Sequence, residues 1–300
     1  NILLILALPN SSGLAANFQN GAEMENKGWE IVLNWEDKIG GLTYYLTGQL
    51  DDNRNKVTNL LGTGPYISND RIREEGVEFD ALYGWESVGF LSKSDLTDSN
   101  VPKQNSSFLV EGNLKFKDQN GDGVIDVNDR VIIGSEIPRF NYSFISGASY
   151  KGVMLDVILQ GVGKRDGYVR RLGKGKESFG NNTYDWEWDS YIPADHPIFT
   201  VHKYDELFGL KPNTNSSLPA PGGDNGNFND FWIKSRAYLR IKNVTLSYNL
   251  PKSVTDKLNF QNIRIYVSGE NLYTFHNFIR GFDPEFTSGR GYWQYPNISK

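Results

Sequence analysis

Asp118, Asn120, Asp122, Gly123, Asp126 and Asp129 stand at positions 1, 3, 5, 6, 9 and 12 of a calcium-binding EF-hand loop, with apolar Ile125 at position 8. In that reading Asp118, Asn120, Asp122 and Asp129 offer side-chain oxygens. Val124 offers its backbone carbonyl, and Asp126 binds directly or through water. Gly123 permits the sharp turn. Four neighbouring carboxylates without a metal repel one another, which argues for a bound Ca2+. Asp129 departs from the pattern, because such loops ordinarily end in a longer, bidentate Glu. The competing reading is an Asx-rich turn that shares only the spacing. Both flanks, Phe108-Leu109-Val110 and Val131-Ile132-Ile133-Gly134, are short and β-prone, so the loop joins strands. An ion there would be a structural staple with no catalytic water.

Other reactive groupings are weaker. Trp186-Glu187-Trp188-Asp189 could frame two carboxylates with sugar-stacking rings, but nothing separates the two acids by environment, so glycoside hydrolysis is not assigned. Contact with a sugar or peptide by Trp186, Trp188, Trp232 or Trp293 is favoured over catalysis, and the rival reading is loop packing or lid contact. His196, His202 and His276 lack metal-ligand spacing. No nucleophile elbow is present, and the Gly-containing runs at 172–176 and 221–224 do not open a helix. The absence of cysteine removes disulfides, thiolate metal sites and a cysteine nucleophile. No catalytic residue is assigned. The net charge of −5, with scattered Lys and Arg, gives no reason to expect nucleic acid as a partner.

The elements that must hold these residues are strands. Aromatics make up 13% of the chain and there are 31 glycines, a composition of strands and loops. In Trp29–Trp35 one face is Trp, Ile, Leu, Trp and the other Glu, Val, Asn. Leu42–Leu50 alternates likewise, after a hairpin turn at 37–41. A second pair runs Phe140–Tyr150 and Val153–Val162 about Lys151-Gly152. A third runs Tyr238–Leu250 and Ile263–Leu272. Short connections at one end contrast with long polar ones at 52–79, 91–106, 164–230 and 273–295, the asymmetry of an outer-membrane barrel. Trp29, Trp35, Tyr44, Phe140 and Tyr150 sit where interfacial girdles need rings. Periodicity alone also permits a soluble sandwich whose apolar faces meet. The apolar run Ile2–Pro9 lacks the flanks of a signal peptide.

Several segments are recognisable. They are Glu25-Asn26-Lys27-Gly28-Trp29-Glu30, the 118–134 stretch followed by Pro138, Gln160-Gly161-Val162, Ala237–Tyr248 with Leu250-Pro251, and Ile265–Phe275 followed by Gly281-Phe282-Asp283-Pro284-Glu285. In this order, over nearly the whole chain, they resemble the C-terminal barrel of SusC/RagA-like TonB-dependent transporters of Bacteroidota. The resemblance implies an all-β, antiparallel transmembrane β-barrel with long extracellular loops. Residues 1–300 would supply roughly ten strands of about 22, in a subunit about three times longer. It implies location in the bacterial outer membrane, contact with its lipid, and import of oligosaccharide or peptide. It further implies a SusD-like surface lipoprotein as partner, and coupling to the TonB complex through a plug and N-terminal region that this chain does not contain. The alternative is a secreted, calcium-stabilised β-domain that binds or cleaves glycans.

Overall fold

A computed structural model describes residues 2–5, 18–104, 109–169, 189–220, 223–279 and 283–285. Seven strands form its large sheet: β1 (Ile2–Ile5), β2 (Phe18–Ile39), β3 (Leu42–Asn59), β4 (Arg139–Tyr150), β5 (Val153–Lys164), β6 (Tyr238–Asn249) and β7 (Arg264–His276). Their order in the sheet is their order in the chain and every pairing is antiparallel. The result is an up-and-down meander with β1 and β7 at its edges.

Glycine sets the tight hairpins. Gly40, at φ 61°, turns β2 into β3. Lys151 and Gly152, at φ 47° and 87°, form the doubly left-handed two-residue turn whose twist matches the flanking strands. The connection from β6 to β7 is longer. A helical turn at Lys252–Thr255 and a 3-10 turn at Asp256–Leu258 end on Asn259 in the left-handed region, φ 57°.

The register turns sequence alternation into two faces. Ile31, Leu33 and Trp35 stand opposite Leu50, Gly48 and Leu46, which stand opposite Tyr142, Phe144 and Ser146. The apolar row continues through Val153, Leu155, Val157 and Leu159 to Tyr248, Leu246, Val244 and Ile241, then to Ile265 and Val267. The other face carries Glu30, Asn34, Thr43, Thr47, Gln49, Ser143, Asp156, Gln160, Thr245 and Ser268. Among the described residues nothing covers the apolar face: Leu33 is 70% exposed and Val267 67%. Among the described residues no second sheet packs on this face as in a sandwich.

The buried core lies elsewhere. Each buried apolar side chain among the described residues sits in a long connection or at the strand ends facing those connections. One cluster joins Leu114, Phe116 and Ile125 of the β3–β4 connection to Val169 and Trp232 of the β5–β6 connection, with Phe278 and Ile279 after β7 packed against it. Small sheets stiffen these connections, such as Arg130–Gly134, Ala81–Trp85, Arg71–Arg73 and Tyr66–Ser68 in a four-stranded ribbon.

One expectation is corrected, that of a loop from residue 52 onward. The stretch from residue 52 onward is strand as far as Asn59, and β2 begins at Phe18. The ladder outlasts the alternation there because Val57, buried with Ala22 and Leu60, is the one apolar side chain in Asp52–Asn59, so the sequence loses its period while the backbone keeps pairing. The large sheet holds seven strands among the described residues where about ten were expected. Other β-prone segments become loop strands of two to five residues, such as Ser87–Phe90 and Leu114–Phe116.

Candidate functional site

Two surfaces can meet a solute: the polar face of the sheet and the loop layer at its end. On the polar face, hydrogen bonds run from strand to strand. Gln49 Nε2 donates to Glu30 Oε1 (2.9 Å), Thr47 Oγ1 to Asn34 Oδ1 (2.9 Å), and Asn141 Nδ2 to Asp51 Oδ1 (2.8 Å). Tyr45 lies across Gly147, where any Cβ would collide with its ring, and donates from its hydroxyl to Asp156 Oδ1 at 2.8 Å. Hydroxyl, amide and carboxylate groups with no assigned nucleophile among them suit reversible hydrogen bonding to a polar solute.

Where the sheet meets the loops, arginines tie the layers together. Arg139 pairs with buried Asp52, with Nη2 at 2.7 Å from Oδ2. Arg240, on the polar face of β6, reaches both oxygens of Asp283 at 2.7 and 2.8 Å and also pairs with Glu285. Tyr238 donates its hydroxyl to Glu285, and Arg236 Nε donates to the Pro284 carbonyl at 2.8 Å. Burial pushes the Arg236 guanidinium down to about 10. The Ala237–Tyr248 and Asp283-Pro284-Glu285 segments are therefore two halves of one ion-paired latch. Both segments are recognisable in the sequence but their union is not, because no spacing rule connects residues more than forty positions apart.

The 118–129 loop folds on its own side chains. Asp118 accepts from the Gly121 and Gly123 amides at 2.6 and 2.8 Å, which holds its carboxyl below the usual carboxylate range, mainly through Gly123. Asn120 and Asp122 are hydrogen-bonded to each other at 2.9 Å, and Gly121 and Gly123 take φ 78° and 81°. Asp126 caps Asn128. Asp129, fully buried, accepts from Gln119 N through one oxygen and from Asp126 N through the other, both at 2.8 Å. Among the described residues no group of three acidic or imidazole side chains forms a metal-ready cluster. The loop thus brings Asp118, Asn120 and Asp122 together, while both oxygens of Asp129 brace the backbone. Val124 begins a two-residue parallel pairing with Lys103–Gln104.

The tryptophans divide. Trp186, Trp188 and Trp293 lie outside the described residues. Trp232 is buried in the loop core, and its Nε1 donates to the Asn225 carbonyl at 2.7 Å. Both the ring and its polar tip are engaged in packing, the rival reading to solute contact. His196 is half-buried, and burial lowers its pKa.

Comparison with known proteins agrees with this geometry. No protein-family model matches the chain. TonB-dependent receptor P3 of Formosa agariphila is 27% identical over 324 aligned residues, covering 99% of this chain and 30% of the receptor. TonB-dependent receptor SusC of Bacteroides thetaiotaomicron is 25% identical, covering 93% of this chain and 26% of its own length. The RagAB peptide importer in its closed-closed state superposes with a TM-score of 0.71 at 22% identity, over 99% of this chain and 31% of that one. Over nearly its whole length the chain is similar to TonB-dependent receptors, SusC among them. It spans under a third of the length of the curated relatives it matches. These relatives bear the names of receptors and importers, in keeping with a chain to which no catalytic residue is assigned.

Proposed function

We propose that this chain forms part of the wall of a closed outer-membrane barrel that imports nutrients in a TonB-dependent, SusCD-like system. One observation carries the reading: a sheet whose apolar face is continuous from β2 to β7 and uncovered, while the opposite face is a polar hydrogen-bonding surface. Lipid outside and water inside is the environment in which both faces are satisfied. Strands of 12 or more residues are long enough to cross the apolar layer when tilted. The solute would be an oligosaccharide or a peptide, held by the polar face and the loop layer. A SusD-like lipoprotein would cover the loops, and the TonB complex would supply energy through parts of the subunit beyond this segment. The test is fractionation and uptake with the full-length subunit. It should partition with the outer membrane, need detergent to stay in solution, and lose solute uptake when TonB is deleted. Recovery as a detergent-free soluble monomer would instead favour a secreted glycan-binding domain.

A structural Ca2+ in the 118–129 loop is part of the same proposal, supported by the spacing and by the gathering of Asp118, Asn120 and Asp122. Asp126, Asp129 and the Val124 carbonyl would complete the set. Trp85, whose Nε1 donates to the Asp126 carbonyl at 2.8 Å, offers a built-in reporter. Terbium emission excited through tryptophan should appear on loading, and Asp118→Asn or Asp122→Asn should abolish it. Equal emission from those variants would refute the site.

A further inference from the structure

The short-turn end of the sheet carries features that the transport reading does not use. Tyr150 and Tyr248 belong to the apolar face, and each packs against the glycine of a neighbouring turn. A Cβ on Gly41 would lie 3.2 Å from Tyr150, and one on Gly152 would lie 3.2 Å from Tyr248. Lys151 bends back so that its Nζ stands 5.1 Å over the Tyr150 ring. In the β6–β7 connection Val254 and Leu258 are four residues apart in helical turns, and Phe260 follows. They are 39%, 52% and 59% exposed, with no core over them among the described residues. Lys252 and Lys257 flank them against one carboxylate, Asp256, and no ion pair engages Lys151, Lys252 or Lys257 among the described residues. Charge runs the other way at the far end, where acidic residues outnumber basic ones across 60–138.

We propose that this end is a phospholipid-binding edge. Lys151, Lys252 and Lys257 hold the phosphates of anionic headgroups, while Val254, Leu258 and Phe260 lie at the acyl boundary beside the tyrosine row. The inference rests on the barrel-wall reading. Two arguments select lipid as the occupant. The exposed apolar groups lie in the connection between β6 and β7, whose Tyr248 and Ile265 belong to the apolar face, and the short-turn end carries a net positive charge, Lys38, Lys151, Lys252, Lys257 and Arg264 against Glu36, Asp37 and Asp256.

The experiment uses the full-length subunit in nanodiscs of mixed phosphatidylglycerol and phosphatidylethanolamine, with retained lipids counted by native mass spectrometry. A Lys151→Gln, Lys252→Gln, Lys257→Gln variant should retain at least about five-fold less phosphatidylglycerol, since each surface lysine near anionic lipid is worth about that factor. Lys103→Gln with Lys211→Gln, in the loops, should leave retention unchanged. Val254→Ser, Leu258→Ser, Phe260→Ser should lower retention of both lipids. Unchanged phosphatidylglycerol in the triple lysine variant would overturn the proposal. So would a halved particle mass in the serine variant, which would assign the surface to a second copy of the chain. Failure of the unaltered subunit to enter nanodiscs at all would instead sink the barrel-wall reading.

Discussion

At the scale of single residues, the Arg240 latch is the interaction whose loss should be felt most. Its guanidinium is 6% exposed and meets two carboxylates, Asp283 and Glu285, that are themselves only partly covered. Arg240→Ala should destabilise the subunit by about 2 kcal/mol, because charge-assisted hydrogen bonds vanish and two acids are left facing each other. Arg240→Lys should recover only part of this, since an ammonium cannot match the forked geometry on Asp283. A double-mutant cycle with Asp283→Ala, read from thermal melting, should show coupling, and additive effects would contradict the latch. Asp95 gives a pH signature. It accepts from the Ser92 amide and hydroxyl and pairs with Lys115, interactions that hold its carboxyl at about 2 against an ordinary 3.8. A depressed carboxylate stabilises above its unfolded value, so hydrogen-exchange protection around Ser92–Asp95 should be full above about pH 4. It should fade as pH falls towards about 2.

Among the elements, hairpins dominate. Gly152 has φ 87°, and a Cβ there would approach the Asn249 carbonyl to 2.7 Å. Gly152→Ala should therefore destabilise the β4–β5 hairpin by about 1–2 kcal/mol, seen as a lower yield of folded protein in refolding into detergent micelles. Gly40→Ala has open space and suffers only the backbone strain, so it should be milder. The hairpins were the most legible part of the sequence. Gly-bearing turns and period-two faces located the hairpin ends of β2 to β7 to within a few residues, where one flank is apolar and the other polar. Legibility failed where the apolar alternation stops, as in Asp52–Asn59, whose one apolar side chain, Val57, is buried with Ala22 and Leu60, and in the loop strands, which are too short to show a period. Of the candidate site, the 118–129 turn was legible as a turn because its Asx and Gly residues lie in one short segment. The latch and the burial of Trp232 were not, because both depend on segments brought together only by folding.

For the whole molecule, the decisive property is the division of the sheet into an oily side and a wet side. Leu246→Arg and Thr245→Arg are adjacent substitutions on opposite faces of β6. The first should hinder membrane assembly by about 2–4 kcal/mol and the second should be tolerated, read as outer-membrane yield and heat-modifiable gel mobility. Equal tolerance of both would argue for a different fold. The placement of the core has its own consequence. Leu114, Val169 and Phe278 come from three separate connections yet pack in one cluster, so those connections cannot part independently without breaking it. A nutrient arriving from outside would face a stiff vestibule whose outline is fixed at assembly, and admission would depend on some other moving piece. Spin labels at Lys103 and Lys211 should keep their separation whether or not solute is present.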